Sequence, residues 1–279
     1  MTWRYAAARD ADASLLRRLG SVWRHRVLLR RMSERELRLR YAGSSLGRVW
    51  AVVFPITLVA FYAAIFTLVF RGRLSGDADQ SPQRYALYVV SGLLPWLSLT
   101  DVASRAVRTM AEHRSLVKHV MFPVQILPLT AVYAAALPQA AGLVALTTWT
   151  VLAGGPQVSW PILALVVLLQ VVFLVGVAWL LGALGAVVTD VREVLPIVLT
   201  AGMFVTPIFY SAADAPPLLR AAVLANPITH LVNGYRDAFL GGPLRHPESL
   251  ALLAGIAVVT LLVGFVVFER TRTFLADIL

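Results

Sequence analysis

Apolar residues along this chain do not alternate with polar ones; they form runs near twenty residues long, separated by short arginine-bearing stretches. About twenty helical residues cross the roughly 30 Å hydrocarbon core of a bilayer, so each run reads as a crossing. Six are predicted, over about 49–70, 85–103, 124–152, 160–188, 195–209 and 250–268. The third is long enough to be tilted, or broken near Pro128 and Pro138. A Gly154-Gly155-Pro156 turn leads into the fourth, and only 189–193 separate the fourth from the fifth.

Two stretches follow other patterns. Over 15–41, Leu15, Leu19, Val22, Trp23 and Val27 can share a helix face, with Arg17, Arg18, Arg24 and Arg31 largely elsewhere. That is a basic amphipathic helix lying on the membrane rather than in it. Ser33 with Glu36 three residues on is a capping-box pattern, which predicts a second short helix there. It stops at Ala42-Gly43, and Ser44 or Ser45 can cap the next helix. The stretch 210–247 mixes Pro216-Pro217, an apolar run, Asn226-Pro227 and an amphipathic segment over 228–240. Short half-helices that dip into the membrane and return fit it, because backbone at depth must be satisfied. The expected fold is an all-α membrane protein of six transmembrane helices, with an N-terminal amphipathic interfacial helix and a re-entrant helical hairpin before the last span. Its parts are a cytoplasmic N-terminal segment 1–47, a six-span membrane domain 48–268 and a cytoplasmic tail 269–279.

Composition sharpens this. Only 14% of residues are charged and mean hydropathy is +0.74, against about 25% charged in soluble domains. No cysteine is present, which excludes disulfides, thiolate metal sites and cysteine nucleophiles. The net charge of +10 is almost all arginine; Lys118 is the only lysine and has no glycine before it. A P-loop needs Gly-x-x-x-x-Gly-Lys-[Ser/Thr], so this chain does not bind ATP in that manner. The first 47 residues carry eleven arginines and no apolar core suited to a cleavable signal peptide. With both termini inside, nineteen basic residues face the cytoplasm and six face out, so both ends are expected to be cytoplasmic.

Few residues suggest chemistry. Asp101 is the most isolated acid, either a functional intramembrane carboxylate or an interfacial partner of Arg105 one turn on. Phe54, Phe61, Tyr62, Phe66 and Phe70 could line a pathway, since sugar rings stack on aromatics, or simply pack and face lipid. Gly182 and Ala186 form a small-xxx-small pair suited to close helix packing. Arginines leading into the first span (Arg38, Arg40, Arg48) either anchor on anionic lipid or bind a phosphate-bearing headgroup. The basic segment 111–123 lies between two spans and is either a docking lever for a soluble partner or a connector. Zinc-spaced clusters and paired intramembrane carboxylates are missing from the sequence, so covalent and metal catalysis have no support and no metal site is expected.

From Arg35 the chain reads Arg-Glu-Leu-Arg-Leu-Arg-Tyr-Ala-Gly-Ser-Ser-Leu-Gly-Arg-Val-Trp, with Pro55 five residues later. This resembles the opening motif of ABC permeases that export polysaccharides, the O-antigen and teichoic-acid exporter family. Its elements here are Arg40-Tyr41, Ser44 or Ser45 with Leu46-Gly47, and Trp50. Leu116-Val117-Lys118 with Phe122-Pro123 and Ile126-Leu127-Pro128 is similar to the family's first coupling helix and third span. Thr206-Pro207-Ile208 with Tyr210 resembles the end of span five; Asn226-Pro227-Ile228 and Tyr235-Arg236 resemble the hairpin before span six.

The resemblance implies a channel of two copies of this chain, two copies of a separate ATPase below it, and no enzyme activity or cofactor on the chain itself. ATP and magnesium would sit on the ATPase, and nucleic acid plays no part. A coupling helix at about 111–122 (Glu112, Arg114, Leu116, Lys118) would meet the ATPase, with Asp190 as a lesser contact. Arg38, Arg40, Tyr41 and Arg48 would frame the lateral opening for a polyprenyl-diphosphate-linked glycan among membrane lipids. Phe54, Phe61, Tyr62 and Phe66 would line the channel. Pro207, Tyr210, Asn226, Pro227, Tyr235 and Arg236, in a hairpin over about 211–247, would form the outer gate. The family has asparagines where His113 and Ser115 stand, a charged pair at Val124-Gln125, and Arg-Asp at Thr189-Asp190; these departures touch the docking and headgroup regions. The glycan stays open among O-antigen, capsule, teichoic acid and galactan. An exporter of a small lipid or drug on the same fold is the alternative. A membrane glycosyltransferase would need clustered cytoplasmic acids, and Glu112, Asp190 and Glu193 are scattered; a proton-coupled transporter would need more buried ionisable groups.

Overall fold

A computed structural model describes residues 24–70, 81–118, 123–155, 158–242 and 244–278, with backbone only at 70, 117, 118 and 273–278. The expected amphipathic face from Leu15 to Trp23 lies outside the described residues. Every described regular element is helical. In chain order they are α1 (Arg26–Arg40), α2 (Trp50–Ile65, extended by a π-type turn Phe66–Phe70), α3 (Pro82–Glu112), α4 (Arg114–Lys118) and α5 (Leu127–Leu152). Then come α6 (Trp160–Val187), α7 (Val191–Val205), α8 (Pro217–Ala225), α9 (Pro227–Phe239) and α10 (Pro247–Ile278).

Proline sets most of the starts. Pro82, Pro128, Pro161, Pro217, Pro227 and Pro247 sit in the first turns of their helices, where the missing N–H is not needed. Pro128 therefore opens α5 rather than breaking it, and α5 continues through Pro138 to Leu152. Ser81 caps α3 by accepting from the Arg84 N–H, and Asn226 caps α9 by accepting from the Ile228 N–H.

Among the described residues, five helices are long and apolar enough to cross a bilayer: Gly47–Val69, Pro82–Glu112, Val124–Leu152, Trp160–Val187 and Pro247–Arg272. α3 is the hub, the most enclosed of the five, packing on α5, α6, α9 and α2. α6 and α10 lie backbone to backbone, because Gly176 meets the main chain of Thr260 and Leu261 and Gly264 meets the carbonyl of Gly176. Gly182 packs against Pro128 and the Ala106 carbonyl, with Ala186 buried one turn on, so that pair is a packing seam.

Several expected boundaries are corrected. The predicted break at Ser33 does not occur: α1 runs through it, Ser33 is buried, and its hydroxyl donates to the Leu29 carbonyl. A hydroxyl facing back down its own helix cannot cap a new one. Nor does Ser44 or Ser45 cap the next helix; Ser44 donates to the Tyr41 carbonyl, and the chain enters α2 through a 3-10 turn at Gly47–Val49. α3 continues beyond 103 to Glu112, α4 covers Arg114–Lys118, and the last helix, α10, runs on to Ile278.

The fifth run also differs. α7 starts at Val191 and ends at Val205, fifteen residues. Thr206 precedes Pro207, whose ring disfavours helical backbone before it, and Thr206 is extended at ψ 130°. The segment nonetheless runs the length of α3. Arg192 donates to the Gly185 carbonyl, Gly185 packs on Val107, Gly202 packs on Trp96, and the Tyr85 hydroxyl donates to the Phe209 carbonyl.

Candidate functional site

At the end of the bundle that carries α1, a cleft of about 300 Å³ opens between α1, α2, α3 and α5. Arg40, Tyr41, Phe54, Asp101 and Gln139 are among its walls. Asp101 is held by three bonds from the Arg105 guanidinium at 3.0–3.2 Å and by Arg40 at 3.3 Å. Arg105 also reaches Glu36 at 3.3 Å. The four charges stitch the last turns of α1 to α3, and Arg40, more exposed than Arg105, contributes the longer and weaker contact. Its guanidinium lies 5.4 Å from the Tyr41 ring centre.

The four expected headgroup residues are not gathered into one pocket. Arg40 and Tyr41 line this cleft, whereas Arg48 lines a separate, more open one with Glu34, Leu37 and Tyr133. Arg38 is exposed and sits 3.9 Å from Glu34. The hydrogen bond from Arg30 holds the Glu34 carboxyl below the usual carboxylate range. Among the expected channel aromatics, Phe54 lines the cleft and Phe61 is exposed. Phe66 is instead buried, stacked on Tyr62 and edge-on to Tyr85, with Phe209 alongside. An i, i+4 stack against a neighbouring helix leaves it no free face, so Phe66 belongs to the core in this arrangement.

At the opposite end Pro207, Tyr210, Asn226, Pro227 and Arg236, five of the six residues expected at a gate, lie together, and Tyr235 turns away from them. α9 is buried from Ile228 to Phe239. Arg236 donates to the carbonyls of Pro207 at 2.6 Å and Ile208 at 2.9 Å, and its guanidinium covers the Tyr88 ring at 3.4 Å. Asn226, besides capping α9 at Pro227, donates to the Thr206 hydroxyl at 2.9 Å. The Tyr88 hydroxyl donates to the Tyr210 carbonyl, and Tyr210 donates back to the carbonyls at the end of α7. The carbonyls of Pro207 and Ile208, which lie beyond the end of α7, are thus satisfied by an arginine on another element. Tyr235 reaches deeper, joining Gln139 of α5 and Gln170 of α6.

Glu112, Arg114 and Asp190 are exposed and Leu116 is half-buried; Glu112 and Asp190 end α3 and begin α7 at the cleft end of the bundle. The Lys118 side chain lies outside the described residues. Gln125, where the family's charged pair would stand, donates to Glu269 at 2.9 Å and tethers α10 to the start of α5. Among the described residues, no group of three or more His, Asp or Glu is placed to hold a metal ion. Sequence reasoning missed Gln139, Gln170, Glu36 and Tyr88. The two glutamines were visible as amides inside apolar runs.

A bundle of helices long and apolar enough to cross a bilayer, with a side cleft at one end and a clamped helical hairpin at the other, is the architecture of a membrane-embedded protein. The chain belongs to the ABC-2 type transporter family, whose model matches residues 27–240. It is 28% identical over 270 residues to an O-antigen export system permease protein, RfbA, of Myxococcus xanthus, covering 94% of this chain and 99% of that one. A protein of the same description from Klebsiella pneumoniae is 24% identical over 250 residues, 89% of this chain and 93% of its own. The polysialic acid transport protein KpsM of Escherichia coli is 25% identical over 244 residues, covering 85% and 90%.

Proposed function

We propose that this chain is the permease subunit of an ABC exporter that moves a polyprenyl-diphosphate-linked polysaccharide across a bacterial inner membrane, driven by a separate ATPase. The observation that carries this reading is the cleft at the α1 end, where Arg40 and Tyr41 stand beside Phe54 and an amide at Gln139. A cationic guanidinium suits a diphosphate, while aromatic faces and amides suit sugar rings. The relatives support it by name, as O-antigen and polysialic acid export proteins.

In this reading both termini are cytoplasmic, as the arginine distribution favours. Segment 192–209 makes a sixth crossing, helped by extended backbone beyond α7. The hairpin of α8 and α9 is re-entrant: Tyr235 bonds Gln139, twelve residues or about 18 Å along α5 from Leu127. Two copies pair to complete the channel, and the ATPase docks at Glu112, Arg114, Leu116, Lys118 and Asp190.

The test is depletion of the protein in its host with mass spectrometry of lipid-linked sugars. A full-length polyprenyl-diphosphate glycan is expected to accumulate in the inner leaflet, which also identifies the cargo. Normal levels and sidedness of every lipid-linked glycan would replace this reading with export of a small lipid or drug.

A further inference from the structure

Gln139 is half-buried at the floor of the cleft, and its Nε2 is committed inward, donating to the Tyr235 hydroxyl at 2.9 Å and to the Gln170 Oε1 at 3.4 Å. Tyr235 donates to the same Gln170 oxygen. Three elements, α5, α9 and α6, therefore meet in one knot, and Gln139 is the member that lines the cleft. Gln170 is buried, and its Nε2 has no hydrogen-bond partner among the described residues. One residue along α9 from Tyr235 stands Arg236, the clamp on Pro207 and Ile208.

We propose that Gln139 reads hydroxyl-bearing cargo in the cleft and relays its presence through Tyr235 to the clamped hairpin. This rests on the cleft being the cargo site. With both Nε2 hydrogens turned inward, Oε1 is the group Gln139 can offer to a sugar hydroxyl. Drawing the carboxamide toward the cleft breaks both Nε2 bonds at once, leaving Tyr235 tied to Gln170 of α6 but no longer to α5. Freed from α5, Tyr235 allows α9 to shift, and the Arg236 clamp shifts with it. Cargo binding and opening of the hairpin are then two ends of one equilibrium.

Because the chain has no cysteine, Ala238→Cys gives a single labelling site at a fully buried position on α9. The transporter, co-purified with its ATPase in nanodiscs, is labelled with a membrane-impermeant maleimide with and without saturating undecaprenyl-diphosphate-linked N-acetylglucosamine. Labelling is expected to accelerate about fivefold or more with the probe. Adding Tyr235→Phe removes the hydroxyl that ties α9 to α5, so labelling should already be fast without the probe and gain nothing from it, while an unchanged size-exclusion profile shows that the variant is folded. Gln139→Met, matched in length, should bind the probe more weakly and also lose the acceleration. Acceleration that persists in Tyr235→Phe, or binding without acceleration in the Ala238→Cys background, overturns the relay and leaves the cleft as the cargo site. Failure of the probe to bind at all overturns the cargo reading and the relay with it.

Discussion

Arg236 is the residue on which the hairpin end converges, holding two carbonyls and covering an aromatic ring from a fully enclosed position. Lysine offers a point charge without the planar fork, so it cannot bond both carbonyls and cover Tyr88 at once. Arg236→Lys is therefore expected to cost about 2 kcal/mol, by leaving a buried carbonyl unmet, and to lower the thermal unfolding midpoint of the purified transporter. An unchanged midpoint would show that the clamp carries no stability. Thr206-Pro207-Ile208 and Tyr235-Arg236 were each legible as motifs. Their meeting was not, because no local periodicity ties an arginine to carbonyls roughly thirty residues earlier. The glutamines were passed over for a different reason: a neutral amide in a span lacks the desolvation penalty that draws attention to Asp101.

Among the elements, the α6–α10 contact is the clearest case of backbone approach without side chains. A Cβ on Gly176 would come within 2.5 Å of the main chain of Thr260 and Leu261, so Gly176→Val must push the helices apart. The expected cost is about 3 kcal/mol, read as loss of monodisperse protein on size-exclusion chromatography. Gly255→Ala on α10, the other helix of the pair, has open space around it and serves as the control, with no loss expected. Helix number and order were largely readable because apolar runs near twenty residues leave little choice in a bilayer. Ends were harder. A capping box at Ser33 is a local signal, and packing against α5 with a back-bond to Leu29 overrode it. The third run admits either a tilt or a break near Pro128 and Pro138, and Pro128 in the first turn marks a start instead.

At the scale of the whole molecule, the two working ends lie at opposite ends of α3, with Arg105 and the cleft at one and Tyr85 and Tyr88 at the other. Reversing charge with Arg114→Glu and Asp190→Arg should lower the yield of co-purified ATPase about tenfold or more, since like charges then face the partner. Both side chains are exposed, so the unfolding midpoint should not move. Retained ATPase would place docking elsewhere. The cleft itself could not be drawn from sequence, because Arg40, Asp101 and Gln139 come from three elements whose approach depends on side-chain packing along α3. The Arg236 clamp also governs how the chain is born. α7 spans only about 22 Å as a helix, and its trailing carbonyls gain their arginine only when residue 236 has been synthesised. At 5–20 residues per second the ribosome takes about two to six seconds to close that gap of about thirty residues. In the proposed topology, where α7 and the hairpin lie in the bilayer, the two are expected to enter it as a single late unit, and a nascent chain arrested between 210 and 236 is expected to leave α7 outside it.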